Sequence, residues 1–133
     1  MAQEVHVQVK QISASTSECV ARQFKTLSDR PEAKGGADRG PMGGEMLLMG
    51  LGGCFMSNLL AAVKTREAAV SDIAIAVTAT LVEAPARFSA VKLVVSGNYP
   101  DKAEMEKLVT IAERSCIVAN TIKDAVRLSF EIV

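Results

Sequence analysis

Histidine is almost missing from this 133-residue chain, His6 being the only one, and tryptophan is missing altogether. A single imidazole near the N-terminus nearly excludes a Cys-His nucleophile pair or a histidine-built metal site. Aromatic residues make up 4% of the chain against 49% hydrophobic residues in all, so any core must be aliphatic. Neither sign of charge is in excess: 15 Lys and Arg are interspersed with 15 Asp and Glu. That balance leaves no basic stripe for nucleic acid and no cationic face for a membrane surface, so neither is expected as a partner. Met1 to Lys10 alternates polar and apolar residues and lacks the hydrophobic segment of a signal sequence. The expectation is a cytoplasmic protein, in which thiols stay reduced unless they do redox work. Cysteine is scarce too: Cys19, Cys54 and Cys116 are too widely spaced for a metal knuckle. No metal and no cofactor is therefore expected. There is no internal repeat and no low-complexity segment.

What the chain does have is a long uncharged run from Met46 to Val63. Such a run reads as a helix buried on nearly every side. At about 100° per residue, Leu48, Leu51, Phe55, Leu59 and Ala62 form one large apolar stripe. Cys54 lies on another strip, with Leu47, Gly50, Ser57, Asn58 and Ala61, where small side chains allow something to approach the sulfur. Gly50, Gly52 and Gly53 each cost about 1 kcal/mol relative to alanine in a helix interior, which suggests close packing or access in return. Cys54 is then either a small core hydrophobe, the default for a buried thiol, or a reactive thiol in a tight niche. The run touches the lower length limit of a membrane span, but its glycines, Ser57 and Asn58 make it a poor one.

In chain order, Glu4–Ile12 alternates as a strand and Glu18–Leu27 reads as a second, the two forming a hairpin. Ser28–Gly44 is a long loop rich in glycine, proline and charge, of a length more often functional than incidental. After the central helix, Ile73–Glu83 and Phe88–Ser96 are strands joined by the turn Ala84-Pro85-Ala86. Pro100-Asp101 signals the start of a second helix over Lys102–Ser115. Its apolar stripe is Met105, Leu108, Val109, Ala112 and Cys116. A short helical turn over Thr121–Val126 and a strand over Arg127–Val133 complete a β-β-α-β-β-α-β order. The chain reads as one α+β domain, residues 1–133, with two long helices against an antiparallel sheet.

The two helical cysteines stand in motifs that resemble a known family. Gly43-Gly44-Glu45-Met46-Leu47-Leu48-Met49-Gly50-Leu51-Gly52-Gly53-Cys54 is similar to the first cysteine motif of the OsmC/Ohr proteins. These are the osmotically inducible and organic-hydroperoxide-resistance proteins. Ala112-Glu113-Arg114-Ser115-Cys116-Ile117-Val118-Ala119-Asn120-Thr121-Ile122 is similar to their second, and the order of elements agrees from Val5 to Val133. The resemblance implies an OsmC-like fold and an intertwined homodimer whose central helices lie back to back. It also implies a site at the subunit interface, where Cys54 is the peroxidatic thiol and Cys116 the resolving one. Gly43, Gly44 and Ile117 stand where the hydroperoxide-reducing branch carries proline, glutamate and proline. The pattern is closer to a less characterised OsmC-like branch.

A buried thiol away from a helix N-terminus should have a raised pKa, and a nearby cation would lower it. Arg22 is the first candidate, pointed inward by strand alternation; Arg30 and Arg39 in the loop are the others. Glu45 either orients such an arginine or favours the helix start through the macrodipole. Cys19 reads as a structural strand residue. The function expected is a Cys-based peroxidase that reduces organic hydroperoxides and is recycled by an external thiol. The alternative is a non-catalytic homodimer that binds a small apolar ligand in the same groove.

Overall fold

The computed structural model describes residues 2–133, and the chain divides into two compact units, one through Leu47 and one from Leu48 to Val133. The first unit holds a three-stranded antiparallel sheet of β1 (Gln8–Gln11), β2 (Ser17–Ala21) and β3 (Phe24–Ser28) in that order. The strand expected over Glu18–Leu27 is thus two strands. They are joined by a turn at Arg22-Gln23, and Arg22 takes a left-handed φ of 55°. No glycine or asparagine marks that turn, which is why the sequence pattern runs straight through it. β1 is shorter than expected for a related reason. Gln8 pairs with Val20, and β2 ends one residue later, so the segment before Gln8 has no neighbour to continue the ladder.

Among the described residues of this first unit only Thr16 and Asp29 are buried, while Val7 and Phe24 remain 66% and 56% exposed. Asp29 organises the loop that follows β3. Its carboxylate accepts the Thr16 hydroxyl at 2.8 Å and the backbone N–H groups of Arg30, Ala37 and Arg39 at 2.7, 3.5 and 3.3 Å. Burial alone would push this carboxyl up. The Thr16 hydroxyl, the Arg30 N–H, the Ser15 side chain and the Arg39 N–H outweigh it and hold the group well below the usual carboxylate range. Side chains are impossible at two loop positions: a Cβ on Gly36 would collide with the Arg30 carbonyl, and one on Gly40 with that of Leu27. The seventeen-residue stretch read as a loop is therefore a built turn that includes a 3-10 segment, Glu32–Lys34.

The second unit carries the hydrophobic core. Helix α1 spans Gly43–Thr65 and buries Leu51, Phe55, Leu59 and Ala62, the stripe read from the sequence. The rest of the helix departs from expectation. Leu47, Met49 and Leu60 are about half exposed, so α1 is buried along one stripe and not all round. Of Gly50, Gly52 and Gly53, Gly52 has a packing reason, the Val77 side chain lying 3.1 Å from where a Cβ would stand; Gly50 and Gly53 face open space. By length and composition α1 is apolar enough to cross a membrane, and its core stripe packs against strands and helices.

β4 (Ser71–Val82) and β5 (Arg87–Asn98) pair antiparallel, and β5 buries Val91, Leu93 and Val95. Inward alternation on β4 holds for Ile73, Ile75, Val77 and Ala79. A register shift between Thr80 and Leu81 then turns Leu81 outward. Helix α2 covers Lys102–Ser115 as read from the sequence. Asp101 caps it, accepting the Ala103 N–H, and Met105, Leu108, Val109 and Ala112 are buried. The short helix α3 lies at Ile117–Ile122, earlier than expected. The crossover through α2 and α3 brings β6 (Arg127–Ile132) back parallel to β5, so this sheet is mixed, in the order β4-β5-β6. The Phe55 ring packs against that of Phe130 at 4.9 Å between centroids and ties α1 to the sheet.

Candidate active site

Cys54 is held on α1, half buried at the edge of the core stripe. Cys116 is fully buried and sits at the joint between α2 and α3. Its extended backbone (φ −77°, ψ 111°) ends one helix and caps the next, and its sulfur accepts the Ala119 N–H at 3.4 Å. Asn120 strengthens the joint by donating its side-chain amide to the Arg114 carbonyl at 3.0 Å, where α2 runs out of internal partners. Breaking the helix here leaves the first N–H groups of α3 free to point elsewhere.

Two of them, those of Ile117 and Val118, act on Cys54. Burial by itself would push the Cys54 thiol up. The backbone N–H of Val118, the Cys116 thiol and the Ile117 N–H lie near enough to outweigh it and bring its pKa below the ordinary thiol value. Cys116 moves the other way. Burial raises it, the Ala119 N–H opposes, and the Cys54 sulfur, as acceptor and as negative charge, raises it further. The two thiols therefore split into one that ionises early and one that keeps its proton and donates it. The expectation of a raised Cys54 pKa overlooked this. Cys54 lies mid-helix on α1, and within the second unit the backbone N–H groups at the start of α3 lower it.

The residues named from sequence separate accordingly. Cys54 and Cys116 are brought together in the second unit, whereas Arg22, Arg30, Arg39 and Glu45 belong to the first. Arg22 is not on a strand facing inward. It stands exposed in the β2–β3 turn, its guanidinium 4.9 Å from the centre of the Phe24 ring. Arg30 and Arg39 are exposed, and it is their backbones that engage Asp29. Glu45 accepts the Met42 N–H at 2.9 Å, reaching back across the first turn of α1 as a helix-start residue does. Cys19 pairs in register with Val9 and Thr26 and lines an apolar recess of about 520 Å³ with Val7, Val9, Phe24 and Met46, all within the first unit. Among the described residues no three His, Cys, Asp or Glu side chains gather as metal ligands. Sequence reading missed the backbone donors of Ile117 and Val118. Asn58 stands on the Cys54 strip as read from the sequence, at i+4, but that reading gave it no role.

The fold is thus that of an α+β chain with two long helices, and its cysteines are unbonded. The family model for OsmC-like proteins matches residues 35–131, well over half the chain. The protein belongs to the OsmC-like family. Among solved structures it is similar to an OsmC-like protein from Mycoplasma pneumoniae, with TM-score 0.88 and 16% identity over 100% of this chain and 98% of that one. It is similar also to an OsmC-like protein of unknown function from Vibrio cholerae, with TM-score 0.79 and 15% identity over 99% of this chain and 100% of that one. A third likeness is to the organic hydroperoxide resistance protein OhrB of Bacillus subtilis, with TM-score 0.69 and 19% identity over 98% of both chains. These likenesses establish the fold. No curated protein matches the chain.

Proposed function

We propose that the protein is a thiol-dependent peroxidase that reduces organic hydroperoxides through Cys54 and Cys116. The reading is supported by the placement of Cys54 on α1 and Cys116 at the α2–α3 joint within one core cluster, and by the opposite directions in which their surroundings move the two thiols, Cys54 down and Cys116 up. The Cys54 thiolate attacks the terminal peroxide oxygen. The O–O bond breaks, the alkoxide leaves and takes up a proton to become the alcohol, and Cys54 is oxidised to a sulfenic acid. Cys116 then attacks that sulfur, releasing water and forming a disulfide. An external dithiol reduces the disulfide, becoming oxidised itself. No bound cofactor is needed.

The reading includes a homodimer acting in the cytoplasm, with no nucleic acid or membrane partner. It is supported by the exposed apolar residues of the β1–β3 sheet and by the uncovered Leu47, Met49 and Leu60 on α1. Light scattering should then give about twice the chain mass of 14.1 kDa.

Treatment with cumene hydroperoxide, followed by mass spectrometry, tests the chemistry. The wild type should consume peroxide and acquire a 54–116 disulfide. Cys116→Ser should react once and accumulate sulfenic or sulfinic acid at Cys54. Cys54→Ser should not react, and Cys19→Ser should match the wild type. If both Cys54 and Cys116 remain thiols after exposure, the peroxidase reading fails. The alternative, a non-catalytic homodimer that binds a small apolar ligand in the same groove, is then the reading left.

A further inference from the structure

Asn58 lies one helical turn beyond Cys54 on α1, at the spacing that places two side chains on one strip. Its side-chain Nδ2 donates to the Cys54 carbonyl at 2.9 Å and stands 3.8 Å from the Cys54 sulfur. A carbonyl oxygen can only accept, so it fixes which end of the amide faces Cys54. The NH2 group must turn inward, with one hydrogen on the carbonyl and the second available to the sulfur. Asparagine is a poor helix-interior residue because its amide competes for backbone groups, and here that competition is what anchors it. Asn58 also borders a cavity of about 310 Å³ between α1 and α2, with Ala61, Ala62, Ile111 and Ser115. Asn58 thus both contacts Cys54 and lines an open recess.

We propose that Asn58 is a positioning residue for the Cys54 thiolate, holding the sulfur in one orientation and supplying a side-chain donor to it. The inference rests on Cys54 being the reactive thiol of the proposed function. Its chemical logic is that of a charge-assisted hydrogen bond. The donor stabilises the thiolate while the charge is on sulfur, and the fixed helical spacing means the sulfur need not be reoriented before it attacks. Cys116 caps α3 and Asn58 anchors on α1, so the Cys54 sulfur is addressed from two separately positioned elements.

The test reads the thiol without any peroxide. Alkylation of Cys54 by iodoacetamide, located by mass spectrometry, is followed from pH 5 to pH 10 in the wild type, Asn58→Leu and Asn58→Asp. Leucine keeps the volume and removes the donor; aspartate keeps the shape and replaces the donor with a negative charge. Both profiles should shift to higher pH. At pH 7 the rate should fall about threefold in the leucine variant and about tenfold in the aspartate variant, a tenfold loss being one unit of pKa. Folded variants with the wild-type profile would overturn the proposal. Should either variant fail to fold, the wild type itself decides: the Asn58 side-chain amide protons must follow the Cys54 titration by NMR, and an invariant shift overturns it. A shifted alkylation profile without peroxide turnover removes the peroxidase reading and leaves Asn58 in place. Turnover with an unshifted profile removes Asn58 alone.

Discussion

Replacing Ile117 with proline should separate the stability of the α2–α3 joint from the reactivity of the thiol it faces. Ile117 is the first residue of α3, the helix position at which proline is best tolerated because that N–H has no partner inside the helix. The preceding residue, Cys116, already has φ −77° and ψ 111°, the extended backbone that a following proline demands. Ile117 is 72% exposed, so little packing is lost. On these grounds Ile117→Pro should leave stability unchanged or raise it by about 0.4–1 kcal/mol through the unfolded chain. What it removes is the Ile117 N–H that donates to Cys54. A hydrogen bond to a charged group is worth about 1.5–3 kcal/mol. Ile117 is the lesser of two backbone donors and sulfur is a soft acceptor, so about a third to half of that is a fair share. That corresponds to a rise of roughly half to one unit in the Cys54 pKa. Alkylation of Cys54 near neutral pH should slow about three- to tenfold while the thermal midpoint holds or climbs. An unmoved pH profile would refute the idea that α3 backbone dipoles hold the thiolate. A lower midpoint would mean that the joint does not have the backbone described.

Two further outcomes test the frame around the site. Phe55→Ala empties the centre of the α1 stripe and its contact with Phe130. It should cost about 3–5 kcal/mol in urea unfolding, and a loss below about 1 kcal/mol would show that α1 does not seat on the sheet. Asp29 has a folded-state pKa below its unfolded value, so its contribution to stability is complete above about pH 4 and is lost as pH falls below that. Asp29→Asn should therefore lower the thermal midpoint at neutral pH and make the decline below pH 4 shallower than in the wild type. Parallel acid limbs for the two proteins would contradict the assignment.

Much of this molecule is legible in its residue pattern. Period and burial agree wherever a side chain's direction depends on its own element. The stripe Leu51, Phe55, Leu59 and Ala62, the stripe Met105 to Ala112 and the face Val91, Leu93 and Val95 are set by helical or strand geometry alone. Asp101 likewise announces the start of α2 by local hydrogen bonding. The stretch that matches the family model, residues 35–131, contains both cysteine motifs.

The tertiary structure decided everything that depends on which element lies across from which. The β2–β3 turn carries no turn residue, and only the pairing of Cys19 with Thr26 reveals it. β6 runs parallel to β5 because α2 and α3 carry the chain back across the sheet, and a strand's direction leaves no mark in its own residues. The same reason governs the chemistry. A sequence lists side chains and is silent about where backbone N–H groups point. The main-chain N–H groups of Ile117 and Val118, freed where Cys116 ends one helix and begins the next, lower the Cys54 thiol, and only three-dimensional packing brings them near it.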